Sequence, residues 1–230
     1  MLKVNNLAIG YKDKVICSSI DFVVNLGECV MITGPNGCGK TSLLKTLVSN
    51  IPAIEGNIET SDSIIMVPTR IPKVNGFTLF EFIETGMFQD SSLFGKLPQE
   101  KINYINETID SMGLSHLRNR DISSLSDGEF QKTCIASAIC RNADILLLDE
   151  PTTYLDIENK IEVLKLLKQI CQNKNKSVIF STHDIYEGIK ISDRVFSIGI
   201  DNKFRTSDYS EKSMIETIRY GLHNPESINL

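Results

Sequence analysis

Residues 34–41 read Gly34-Pro35-Asn36-Gly37-Cys38-Gly39-Lys40-Thr41, with Ser42 next. This matches the phosphate-loop pattern G-x-x-x-x-G-K-[ST] in full. Each residue type has a physical reason. Glycines at 34, 37 and 39 let the backbone curl until its N–H groups face an anion. A helix starting near Lys40 adds about half a positive charge at its N-terminus. The Lys40 ammonium reaches the β- and γ-phosphates of a nucleoside triphosphate, and the Thr41 hydroxyl ligates Mg²⁺. Cys38 lies inside the loop. It is either a tolerated small residue or a reactive thiol, since a helix N-terminus and a lysine lower a thiol pKa from about 8.5.

A second acidic site follows the apolar run Ile145-Leu-Leu-Leu, which ends in Asp149 and Glu150. Charge at a buried strand tip is costly unless a cation balances it. Asp149 therefore fits a Mg²⁺ partner. Glu150, one residue on, points elsewhere and suits polarising an attacking water.

The elements that must position these groups alternate. Leu2–Ile9 and Val15–Val24 read as strands, as do the apolar runs at 28–33, 63–67, 145–148 and 177–180. Helices are expected at Thr41–Val48, Ile157–Gln172, near Ile185–Lys190 and at Glu211–Leu222. Between the fourth strand and Ile145 the pattern turns helical, at Thr78–Phe88 and Gln99–Met112. In the second of these, Ile102, Ile105, Ile109 and Met112 share one face, and Gly113 is a stop. Val195–Ile200 and Lys203–Arg205 flank an Asp-Asn hairpin turn. Such βα alternation implies a mostly parallel sheet with its ligand at the carboxyl ends of the strands.

Composition sets the class. The chain has 230 residues, 41% hydrophobic and 23% charged, which suits a folded globular protein. Its net charge of −5 disfavours a dedicated nucleic-acid binder, and no nucleic-acid partner is expected. The six cysteines are scattered with no CxxC pair, the pattern of reduced thiols in the cytosol. The N-terminus lacks a secretory apolar stretch, and nothing approaches the roughly 20 apolar residues of a membrane span. His116 and His223 read as surface histidines, and the tail after Leu222 as frayed.

Further motifs carry a family resemblance. Leu125-Ser126-Asp127-Gly128-Glu129 is similar to the LSGGQ signature of ATP-binding cassette (ABC) proteins, and Phe130-Gln131-Lys132 continues it. Glu150-Pro-Thr-Thr-Tyr-Leu-Asp156 resembles the run from the catalytic carboxylate into the family's D-loop. Ser181-Thr-His183-Asp resembles its switch histidine, and Tyr11 the aromatic that stacks on adenine. The resemblance spans nearly the whole chain. It implies one α/β domain over 1–230. The P-loop NTPase core occupies 1–68 and 143–230, with a mostly parallel sheet and an antiparallel β N-terminal subdomain. An inserted α-helical subdomain, at 69–142, carries the signature. It also implies an ATPase with ATP and Mg²⁺, working as a head-to-tail homodimer on integral-membrane permease subunits. Its location would be the cytoplasmic face of the membrane. In that arrangement Ser126, Asp127, Gly128 and Glu129, with Asp156, complete the ATP site of a second copy. Glu150, His183 and Lys40 are the catalytic residues, and His183 bonds the γ-phosphate.

Two departures qualify the resemblance. Thr69 stands where the family has a glutamine that contacts Mg²⁺ and the attacking water; its oxygen sits about two bonds closer to the backbone. Thr69 is kept as a metal-site residue, with turnover expected to change more than nucleotide affinity. Asp127 replaces the first signature glycine, a variant resembling importers of iron–siderophore, haem and cobalamin. Five phenylalanines, at 77, 80, 82, 88 and 94, form either a small helical core or a groove for a partner's short helix. The rival functions are a non-transport ABC ATPase and a nucleotide-gated module that scarcely hydrolyses.

Overall fold

Apolar alternation along the first two segments produces a long antiparallel pair, β1 (Leu2–Tyr11) and β2 (Lys14–Val24). The computed structural model describes residues 1–12, 14–87, 97–174 and 176–221. A third strand, β4 (Glu55–Thr60), pairs antiparallel along the other edge of β1, with Leu2 opposite Thr60 and Val4 opposite Ile58. Sequence patterning gives no hint of β4. Its residues are almost all exposed and polar, and only the free edge of β1 makes a strand of them.

The second sheet has six strands in the order β5-β6-β7-β3-β8-β9. These are β3 (Cys29–Thr33), β5 (Ile64–Val67), β6 (Ile145–Leu148), β7 (Ser177–Ser181), β8 (Arg194–Ile198) and β9 (Phe204–Thr206). The first five are mutually parallel, and β9 turns back antiparallel through the Asp201-Asn202 hairpin. β3, β6 and β7 are buried along their whole length, as strands covered on both faces must be. The β1–β2 sheet and helix α1 (Lys40–Leu47) cover one face. Helices α5 (Ile157–Lys174), α6 (Ile185–Ile191) and α7 (Glu211–Gly221) take part in the packing of the other.

Between β5 and β6 come α2 (Leu79–Thr85), α3 (Gln99–Ser111), two short 3₁₀ turns and α4 (Asp127–Cys140). Thr78 caps α2 in a full capping box with Glu81. On α3, Ile105 and Ile109 are buried, as their spacing requires, and Gly113 follows at φ +69°. The core of these helices runs continuously into that of the large sheet through Ile135, Ile139 and Leu146. The phenylalanines divide. Phe82 lies 5.7 Å from Phe130, ring centre to ring centre, and Arg118 stacks on Phe80, while Phe77 is exposed. Phe88, Phe94, Leu222 and His223 lie outside the described residues. His116 is exposed, as expected. All six cysteines are buried, and none forms a disulfide.

Candidate functional site

The strand register sets the site. Met31 of β3 and Leu148 of β6 both pair with Phe180 of β7, so the three strands end within two residues of one another. The segments leaving those ends are the phosphate loop, Asp149–Glu150 and His183. β5 ends beside β6, and the amide of Asp149 donates to Val67 O at 3.0 Å, which brings the Thr69 segment to the same edge.

The loop has the backbone its sequence demands. Gly34, Gly37 and Gly39 take φ of +145°, +80° and +113°. A side chain at Gly34 would also meet the backbone Ile198 O at 2.3 Å and Cys38 Sγ at 2.9 Å. Gly39 caps α1 with no side chain, leaving the first helical amides to a ligand. Lys40 Nζ donates to Gly34 O (2.8 Å) and Pro35 O (3.2 Å) and is held over the loop, only 7% exposed. Ser42 donates to Tyr11 OH at 3.3 Å, so the half-exposed Tyr11 ring at the end of β1 is tied to the loop's helix. Pro35 leads into the exposed turn of the loop at Asn36 and Gly37.

Of the two readings of Cys38, its surroundings favour the tolerated small residue. It is 7% exposed. Burial pushes its pKa up, and the Lys40 ammonium and loop hydrogen bonds only partly oppose this. Desolvation wins because Cys38 packs into the apolar cluster that contains Ile9, Cys17 and Leu43.

Thr41 Oγ1 donates to Asp149 Oδ2 at 2.8 Å, and Ser181 Oγ donates to Asp149 Oδ1 at 2.8 Å. Asp149 is 5% exposed, and among the described residues it has no ion pair. A buried carboxylate held by two hydroxyls and lacking a cation fits a hard divalent ion such as Mg²⁺ bound with Thr41. Thr69 is half-buried nearby, but among the described residues no hydrogen bond joins it to Asp149 or Thr41.

Glu150 sits at φ +52°, a left-handed conformation that costs a non-glycine residue free energy and clusters at functional sites. Three contacts hold it there. Its amide donates to Ser181 Oγ (2.9 Å), its Oε2 accepts from Thr153 (3.3 Å), and its Oε1 lies 2.9 Å from His183 Nε2. That approach is not aligned for a hydrogen bond, which leaves Oε1 buried without one. His183 itself is half exposed. A carboxylate oxygen so placed can accept a proton from a water. Ser181 and Thr153 were not singled out by the sequence reading, although Ser181 opens the Ser-Thr-His run that marked His183.

The signature lies apart from this cluster. Ser126 caps α4 and forms a capping box with Glu129: Ser126 N donates to Glu129 Oε2 (2.7 Å) and Glu129 N to Ser126 Oγ (3.2 Å). Asp127 pairs with Lys73 at 2.8 Å. Gly128 packs on Asn159, whose amide groups bond both oxygens of Asp156 at 2.8 Å. Asp156 thus serves as the cap of α5. Among the described residues no hydrogen bond joins 126–129 to the phosphate loop.

Known proteins resemble this chain over most of its length. The sequence matches the family described as "ABC transporter" over residues 17–153, more than half the chain. An uncharacterized ABC transporter ATP-binding protein of Methanocaldococcus jannaschii is 30% identical, over 100% of this chain and 83% of its own. The iron(3+)-hydroxamate import ATP-binding protein of Bacillus subtilis is 29% identical, over 83% of this chain and 76% of its own. A metal-chelate type ABC transporter solved in an inward-facing conformation is 30% identical with a TM-score of 0.87, over 96% of this chain and 88% of its own. Among the described residues no helix is long and apolar enough to cross a membrane. The chain belongs to the ABC transporter family, as one of its ATP-binding, ATP-hydrolysing subunits.

Proposed function

We propose that two copies of this chain sandwich two ATP molecules and, by closing and reopening, drive import of a metal chelate through a membrane permease. The observation that carries the reading is the split of the site. Phosphate loop, acid pair and histidine converge at one sheet edge, while the signature stands on α4 without a bond to them. Ser126, Gly128 and the N-terminal amides of α4 then serve the γ-phosphate held by the second copy's Lys40.

In the reaction, Glu150 Oε1 takes a proton from a water. The water oxygen bonds to the γ-phosphorus, and the bond to the β–γ bridging oxygen breaks, leaving ADP and phosphate. Lys40 and the loop amides stabilise charge on the phosphates, and His183 orients the γ-phosphate. Thr41 and Asp149 would hold Mg²⁺, which would supply charge neutralisation on the phosphates. Thr69 reaches this centre only through water. Loss of the γ-phosphate removes the anion joining the halves, and they part.

The permease docks on the flank formed by β5, α2 and α4. A cleft of about 440 Å³ there is lined by Ile65, Ile71, Phe82, Ser137 and Arg141, a mixed apolar and polar lining suited to a short helix. The chain would sit peripherally on the inner face of the membrane. Import of a metal chelate is supported by the names of its relatives and by the Asp127 variant. A phosphate-release assay tests the catalytic core. Glu150→Gln should lower the rate by at least about 10²-fold, the contribution of a general base, while ATP still binds. Equal rates would defeat the assignment.

A further inference from the structure

The signature of this chain carries a charge problem that the structure solves locally. Asp127 and Glu129 both lie in the first turn of α4. If that helix end faces a γ-phosphate, two carboxylates oppose the anion that the amides attract. Glu129 is bound backwards on Ser126 N, which holds its carboxyl below the usual range. Asp127 is different. Its side chain is 66% exposed at the surface where the phosphate would arrive.

Lys73 lies 2.8 Å from Asp127 Oδ1. It belongs to the segment after β5, not to the helix. Its ammonium is fixed from three sides: it also donates to Leu125 O at 2.7 Å and lies 5.5 Å above the Phe130 ring. Such an anchored cation gives up less freedom to pair than a free surface lysine.

We propose that Lys73 is the charge-compensating, positioning residue of the signature loop, and that it makes Asp127 compatible with an approaching triphosphate. The proposal rests on the reading that the signature completes a second copy's site. Replacing the glycine of the common signature by aspartate adds a repulsion; Lys73 cancels it and ties the loop to the chain segment that carries Thr69. Lys73 need not touch the nucleotide.

The test uses the full chain with Glu150→Gln, which should accumulate as an ATP-bound dimer, and measures dimer mass by analytical ultracentrifugation across ATP concentrations. An exposed contact between unit charges shifts an equilibrium by up to about fivefold. Two ATP and two such contacts enter each dimer, so Lys73→Met should raise the half-maximal ATP concentration about fivefold. Lys73→Arg should leave it near the parent value. Adding Asp127→Gly to Lys73→Met should restore it to within about twofold. A purely structural anchor on Leu125 and Phe130 would gain nothing from that second change. If Lys73→Met does not fold, Lys73→Gln, which keeps a donor for Leu125 O, gives the same comparison. An unshifted Lys73 variant, or a shift that Asp127→Gly does not reverse, overturns the inference while leaving the two-copy site standing. A parent that stays monomeric with ATP overturns the two-copy reading and the inference with it.

Discussion

Replacing Gly128 by alanine probes the contact between signature and D-loop. A Cβ at Gly128 would lie 2.4 Å from Asn159 Oδ1 and 2.5 Å from its Cγ, where ordinary contact begins at 3.4 Å. Asn159 must therefore retreat by about 1 Å. It is not free to do so, because its side-chain and backbone amides hold both oxygens of Asp156, the cap of α5. Overpacking of this kind costs about 1–3 kcal/mol, and disturbing the cap alone about 1 kcal/mol. Against this, alanine is the better helix former by up to about 1 kcal/mol, and less in a first turn. The clash wins, with a net loss of about 1–2 kcal/mol. For a chain of this size that lowers Tm by about 2–8 °C, measurable by circular dichroism. The double variant with Asn159→Ala should recover most of it, giving a coupling of at least about 1 kcal/mol. Unchanged melting for Gly128→Ala, or costs that simply add with Asn159→Ala, would refute the reasoning. Hydrolysis should fall further than the lost stability explains, because the D-loop moves with Asn159.

Two other expectations follow. Thr69→Gln lengthens the side chain toward the acid pair and should change the ATPase rate at least severalfold while the ATP Kd stays within about twofold; an unchanged rate with a changed Kd would contradict the water-mediated role. Cys38, buried and with its thiol pKa pushed up by that burial, should react with maleimide far more slowly at pH 7 than an exposed thiol, and faster as pH rises. Rapid labelling at pH 7, seen by mass spectrometry, would contradict that burial.

Much of the site was legible because its determinants are local. Glycines at 34, 37 and 39 take positive φ without the steric cost other residues would meet, and Lys40 and Thr41 follow at fixed offsets on one helix. The acid pair was legible because an apolar strand ended in charge. Strand β4 was not, since Glu55–Thr60 is polar and takes its conformation from the edge of β1. For Cys38 the sequence left both readings open, because it shows the cation beside the thiol but not the burial around it.

The sequence alone determined which groups could bind a triphosphate, and that strand-end loops carry them. Tertiary structure decided how they are shared out. Parallel register brought Thr41, Asp149, Glu150 and His183 to one edge, because β3, β6 and β7 run in the same direction and end within two residues of one another. Long-range contacts decided the rest. Lys73 meets Asp127 54 residues away, and Ser181 meets Asp149 across 32. No periodicity records such pairs; they exist only once packing sets the distance between two segments, and at hydrogen-bonding range that distance decides whether charges cancel or oppose.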